Sequence, residues 1–293
     1  SSLFGWIRML IHDLSTSNES TQSHHNSERR STATIVWPRV KIHSGDRVMP
    51  VLLSAQQIYK RFGYLDLLED VNLTLFSHQV VVIFGPNGVG KTTLIKILAT
   101  LESSTSGELL YRGKTVKDQL PKFRRAIGLV VHEPLAYPDL TAKENLRFLG
   151  EIYGLRDLSI RINYLLAEMG LATNSNQPIR LFSRGMMQKF MIAKALLNNP
   201  EILMLDEPFS GLDQVAVNSL LGRIEELKID GKGILMTTHN VGLGYSAGST
   251  FYSLINKKVV SLGEKSTHKM EEIAEVYQQQ ISTANSNSLV HAE

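Results

Sequence analysis

The sequence predicts a three-layer α/β domain, a mostly parallel sheet covered by helices. Two observations carry the prediction. Apolar runs of strand length alternate with amphipathic stretches of helix length from Val51 onward, the order that builds such layers. Two of the apolar runs also end in chemistry-bearing residues, one in a glycine-rich loop and the other in a pair of acids. Strand ends of that kind are where ligands of open α/β sheets bind.

The elements follow in order. Residues 15–34 are dominated by Ser, Thr, Asn, His and Arg and have too little apolar surface to offset their ordering entropy. Residues 1–48 are therefore expected to be a disordered extension, with the folded unit starting near Met49. Val51–Ile58 and Val71–Phe76 read as strands of an edge sheet, and Val80–Phe84 as a short buried strand. Thr92–Leu101 is an expected helix and Ala126–Val131 a strand; Ala142–Tyr153, Ser159–Met169 and Met186–Leu197 are helices. Ile202–Leu205 is a strand, Val215–Glu226 a helix and Gly233–Thr237 a strand; Phe251–Ile255 and Lys258–Val260 close the sheet. No internal repeat is seen, so residues 49–263 form one unit. In residues 264–293, Met270, Ile273, Ala274 and Tyr277 recur at helical spacing, which gives an amphipathic helix before a polar tail from Ser282.

Composition narrows the function. The 293 residues are 43% apolar, carry a net charge of only +3 and include no cysteine. The small charge makes no case for nucleic acid. The lack of thiols excludes disulfides and thiolate metal sites, and fits a reducing compartment. No stretch reaches the roughly 20 apolar residues that cross a bilayer. Ser1–Ile11 is short and contains Arg8; it reads as an interfacial helix or a leader without function, so any membrane role is expected to come through a partner.

Phe84-Gly85-Pro86-Asn87-Gly88-Val89-Gly90-Lys91-Thr92-Thr93 holds the Walker A pattern. Its glycines let backbone N–H groups curl around phosphates at the start of a helix. Lys91 would reach the β- and γ-phosphates, and the Thr92 hydroxyl would ligate Mg²⁺. The strand Ile202–Leu205 delivers Asp206 and Glu207 to its C-terminal end. There Asp206 can hold magnesium through water and Glu207 can polarise an attacking water.

With Asp206-Glu207-Pro208-Phe209-Ser210-Gly211-Leu212-Asp213, the chain resembles the ATP-binding cassette (ABC) ATPases from about Val51 to Gly263. Phe182-Ser183-Arg184-Gly185-Met186-Met187-Gln188 is similar to their signature, and Thr237-Thr238-His239 to their switch-histidine strand. The resemblance implies a P-loop NTPase fold with a RecA-like core, an antiparallel β subdomain and a small helical subdomain. It implies ATP and Mg²⁺ as ligands, with Phe62 stacking on adenine and His239 on the γ-phosphate. It further implies a head-to-tail pair, either a homodimer or a paired homologue, in which Ser183 and Gly185 reach the ATP of the opposite copy and Asp213 lies at the seam.

Two departures stand out. His132 occupies the family's magnesium-binding Gln position, where an imidazole can ligate a metal or orient water but with a different reach. Arg184 and Met186 replace the usual Gly and Gln of the signature, and slower turnover would follow if they disturb the phosphate and ribose contacts. These departures, with Leu140-Thr141-Ala142 and Glu144-Asn145-Leu146-Arg147-Phe148, are similar to the heme-exporter ATPase subunits of cytochrome c maturation. Drug and polysaccharide exporter ATPases share much of the pattern. The implied partner is a membrane permease that holds the protein at the cytoplasmic face of the membrane, with Glu133–Thr141 in the groove that receives it. A soluble, non-transport ABC ATPase is the alternative reading. Its translation-associated members resemble this chain less because they carry two cassettes. Its chromosome and repair members resemble it less because they insert a long coiled coil where Lys91 and Ser183 here are close in sequence.

Overall fold

Four strands are buried along their whole length: β3 (Val80–Phe84), β6 (Ile127–Val130), β7 (Ile202–Asp206) and β8 (Gly233–Thr238). Continuous apolar runs of this kind belong to parallel strands covered on both faces. A computed structural model of the chain, which describes residues 49–290 with side chains through 284, places them side by side. The six-stranded sheet has the order β10-β9-β3-β8-β7-β6, with β9 (Thr250–Ile255) and β10 (Lys258–Glu264) at one edge. β3, β6, β7, β8 and β9 run parallel, and β10 pairs antiparallel with β9.

Alternate residues of this sheet feed two cores, as the two-residue side-chain period requires. Val80, Val82 and Phe84 face α3 (Ala142–Ile152), α4 (Leu158–Glu168), α5 (Arg184–Leu196), α6 (Gln214–Ile229), α7 (Val241–Ala247) and α8 (Met270–Val290). Val81 and Ile83 face α1 (Lys91–Leu98) and a second sheet. That sheet is antiparallel, in the order β2-β1-β4-β5, from β1 (Val51–Phe62), β2 (Leu65–Phe76), β4 (Ser106–Tyr111) and β5 (Lys114–Thr115). A short helix, α2 (Leu120–Ala126), precedes β6.

The expected elements are present, with shifted ends and some additions. α1 stops at Leu98 rather than Leu101 because Thr100 turns left-handed (φ 60°) and the Lys96 carbonyl accepts from Leu101 and Glu102. β4, β5 and α2 lie between Leu101 and Ala126, where the sequence pattern assigned no element. β4 begins with exposed Ser106-Gly107-Glu108 and owes its extension to pairing with β1. α7 was hidden by Gly242 and Gly244, poor helix formers; Gly244 is needed because a β-carbon there would stand 2.3 Å from the Phe84 ring. α8 runs past Ser282 to Val290, so the expected polar tail is helical over that span. Ser282 and Thr283 return their hydroxyls to the carbonyls of Gln278 and Gln279. The expectation for residues 1–48 lies outside the described residues.

One close approach fixes α5 against the sheet. A β-carbon on Gly128 of β6 would lie 2.3 Å from the Ala195 carbonyl oxygen and 2.9 Å from Pro200 Cγ. Gly128→Ala is expected to destabilise the domain by about 1–3 kcal/mol through overpacking. The measurement is the urea unfolding midpoint; an unchanged midpoint would show that β6 and α5 do not approach this closely.

Candidate active site

The C-terminal ends of β3, β7 and β8 lie adjacent, and each delivers one part of the site. After β3 the chain turns through Gly85–Gly90 into α1. Gly90 precedes the helix at φ 109°, a left-handed conformation that glycine adopts freely. Gly85 is required for a different reason: a β-carbon would sit 2.9 Å from the Leu254 carbonyl oxygen. Pro86, Asn87 and Gly88 form the exposed crest, and Val89 and Thr93 are half-buried beside it.

Lys91, 6% exposed, folds back so that Nζ donates to the carbonyls of Gly85 (2.7 Å) and Pro86 (3.1 Å). The same ammonium lies 3.3 Å from Glu207 Oε1. Asp206 is buried, and a buried carboxylate needs hydrogen bonds to offset its lost hydration. It accepts from Thr92 Oγ1 and from Thr237 Oγ1, each at 2.6 Å. The next residue, Glu207, takes a left-handed backbone (φ 49°), costly for a side chain of its size and typical of functional sites. Its N–H donates to the Thr237 carbonyl (3.1 Å), and both carboxylate oxygens lie 3.0 Å from His239 Nδ1. With the carboxylate as acceptor, Nδ1 carries the proton.

Lys91, Thr92, Asp206, Thr237, Glu207 and His239 thus form one group, joined by hydrogen bonds and by the Lys91–Glu207 ion pair. Thr92 and Asp206 present hard oxygen donors side by side, which suits Mg²⁺. Among the described residues no group of three or more His, Cys, Asp or Glu is arranged to hold a metal ion by itself.

The other predicted residues stand outside this group. Phe62 is 48% exposed at the β1–β2 hairpin, with Lys60 Nζ 4.4 Å from its ring centroid. His132 is exposed two residues beyond Val130, which pairs with Leu205; it therefore sits one strand over from Asp206. Ser183 caps α5 by accepting from the Met186 N–H (3.3 Å), and Asp213 caps α6 by accepting from the Ala216 N–H (2.8 Å). The two caps are tied together. Gln188 donates to the Pro208 carbonyl (2.9 Å), and a β-carbon on Gly185 would lie 3.3 Å from the Gly211 carbonyl oxygen. Arg184 lies over Gly211 and donates to Ser210 Oγ, so its guanidinium is hydrogen-bonded within its own chain.

The family model for ABC transporters matches residues 68–210. The lantibiotic transport ATP-binding protein SrtF of Streptococcus pyogenes is 35% identical over 188 residues, 64% of this chain and 80% of the relative. The chain belongs to the ABC transporter family. The Nod factor export ATP-binding protein I of Cupriavidus pinatubonensis is 33% identical over 193 residues, 65% of this chain and 59% of the relative. Among solved structures, a dimeric ATP-binding cassette in a post-hydrolysis state, bound to ADP and Pi, superposes with a TM-score of 0.66. That match has 28% identity and covers 71% of this chain and 96% of the other. The chain is an ATP-binding cassette ATPase with the family's α/β fold.

Sequence reasoning missed three residues of this cassette. Thr237 was quoted only as a neighbour of His239, yet it supplies half of Asp206's hydrogen bonds. Asn145 is 5% exposed; its side chain accepts from the Tyr137 N–H and donates to the carbonyls of Tyr137, Leu140 and Thr141. The capping box of Thr141 and Glu144 beside it was the legible signal. Lys194 of α5 donates to the carbonyls of Pro134 and Leu135, so the helix that starts at Ser183 grips the loop that follows His132.

Burial pulls Lys194 down to about 7 from its ordinary 10.5. Between those two values the unfolded chain binds more protons than the folded one, so this group makes stability rise with pH. The parent is expected to gain stability over Lys194→Met as pH rises from 7 toward 10, read from urea midpoints. Parallel profiles would sink that reading.

Proposed function

We propose that the chain is the ATP-hydrolysing subunit of an exporter, working as a head-to-tail pair on a separate membrane permease. The observation that carries this reading is the division of the site into two groups. Lys91, Thr92, Asp206, Glu207 and His239 hold together at the C-terminal ends of β3, β7 and β8, while Ser183 and Gly185 stand at the start of α5 and Asp213 at the start of α6. A second copy turned end to end would bring its Ser183 and Gly185 over the first copy's phosphates.

In this reading the loop N–H groups and Lys91 bind the β- and γ-phosphates of ATP, and Phe62 stacks on adenine. Thr92 and Asp206 would hold Mg²⁺, with His132 as a further candidate ligand, and a bound ion would supply positive charge beside the phosphates. Glu207 takes a proton from water as the water oxygen attacks the γ-phosphorus. The bond to the bridging oxygen breaks, leaving ADP and phosphate. His239 orients Glu207 through Nδ1 and turns its other nitrogen toward the γ-phosphate. Asp213 meets its counterpart at the seam.

No helix of the described residues is long and apolar enough to cross a membrane, so the proposed place is the cytoplasmic face of a membrane, held there by the permease. The segment from Glu133 to Thr141, fastened by Asn145 and Lys194, is the proposed receiving groove. For the cargo, the names of the relatives favour a lantibiotic or a Nod factor over heme. The narrower heme reading rests on His132, the Phe182–Met186 segment and the Leu140–Phe148 segment alone.

Glu207→Gln is expected to slow phosphate release about 10²–10⁴-fold, the range for a lost general base, while ATP binding persists and the closed dimer accumulates on sizing columns. Equal release from mutant and parent would remove Glu207 from the base role. In the complex reconstituted with its permease, ATPase stimulation by a lantibiotic and not by heme is expected. Stimulation by heme alone would reverse the cargo assignment.

A further inference from the structure

At the opposite end of the strands from Lys91 and Glu207 lies a cavity of about 220 Å³ between α4, the end of α5, α6 and the start of β7. Its walls are apolar: Leu165, Leu196, Leu203 and Leu227, with Pro200 and the ring of Tyr164, itself 60% exposed. Its rim is cationic, from Arg161, Lys232 and Arg223. Arg223 is balanced by Glu168 (2.8 Å) and Glu226 (2.9 Å).

The other two cations make no ion pair, although Asp230 and Glu201 act on Lys232 from a longer distance. Among the described residues neither Arg161 nor Lys232 has a carboxylate within ion-pair distance. Arg161 donates to the carbonyls of Leu196 and Leu197, and Lys232 Nζ donates to Asn199 Oδ1 (2.8 Å). A guanidinium has five N–H donors and an ammonium three, so both retain donors. Two positive groups share a partly dry wall with only neutral acceptors for partners, an arrangement that favours an anion.

We propose that this cavity binds a small amphiphilic anion, a carboxylate or phosphate head on a short apolar body. Arg161 and Lys232 take the head, and the leucine walls take the body. The volume limits the body: at about 30 Å³ per water-sized group it admits roughly seven, the scale of a six-carbon acid. Burial lowers the pKa of Lys232 against the opposing pull of Asp230 and Glu201, and the charge of Arg161 adds the smallest push, in the same direction as burial. An anion between the two cations relieves both penalties. The site is independent of the nucleotide reading, since none of its lining residues belongs to the Lys91–Glu207 group.

The test titrates hexanoate into the isotopically labelled full chain and follows backbone amide resonances. Saturable shifts at Leu196–Leu203 and Gly231–Gly233 are expected. 1-Hexanol and inorganic phosphate, which each carry half of the chemistry, are expected to bind at least tenfold more weakly. Lys232→Gln should weaken hexanoate at least tenfold and leave MgATP affinity as in the parent. Arg161→Lys, which keeps the charge where removing it would uncap α5, should weaken hexanoate less than Lys232→Gln does. The proposal is overturned if hexanol matches hexanoate, if phosphate alone matches it, if Lys232→Gln binds like the parent, or if these amides do not move. Loss of MgATP binding in the parent would count against the nucleotide site and leave this one standing.

Discussion

The buried carboxylate of Asp206 is the constraint around which the nucleotide end of the molecule is arranged. An ionised carboxylate removed from water needs donors on both oxygens. Here the donors come from Thr92 at the start of α1 and Thr237 at the end of β8. One side chain therefore ties together the ends of three strands that are remote in sequence. Once those ends are joined, Lys91 and His239 converge on Glu207, and the left-handed turn at Glu207 directs its carboxylate between them.

The second group follows a different logic. Ser183 and Asp213 each spend their side-chain oxygen on capping a helix, satisfying N–H groups that a helix start leaves free. Arg184, read from sequence as a threat to the phosphates, is folded onto Ser210 and Gly211. These residues thus shape a stiff turn that leans on the segment after β7. A stiff turn of this kind suits the proposed contact with a second copy, because little ordering entropy is lost when two prearranged surfaces meet.

Between the two groups runs the loop after His132. Lys194 holds it from α5 and Asn145 from α3, both by hydrogen bonds to backbone carbonyls. The loop therefore answers to the position of the helices that carry Ser183 and the capping box. A motion of α5 relative to the sheet would be felt at Pro134 and Leu135, inside the proposed permease groove. Tyr137, packed edge-on against Phe148 at 5.3 Å, stiffens the same segment.

The three-layer class, the principal strands and the loop at Gly85–Thr92 were all legible in the sequence. Each depends on local pattern: apolar period, glycine spacing and an acid pair at a strand end. β4 and α7 were not legible, because pairing to β1 and packing on Phe84 override weak local preference. The burial of Lys194, the four bonds of Asn145 and the cationic cavity at the N-terminal end of the strands were not legible either. Each of these joins residues far apart in the chain, and a side chain's energy there depends on which neighbours exclude water from it. Residue types and their order along the chain specify what chemistry is available. Only the packed structure decides which charges lose their water and which partners replace it.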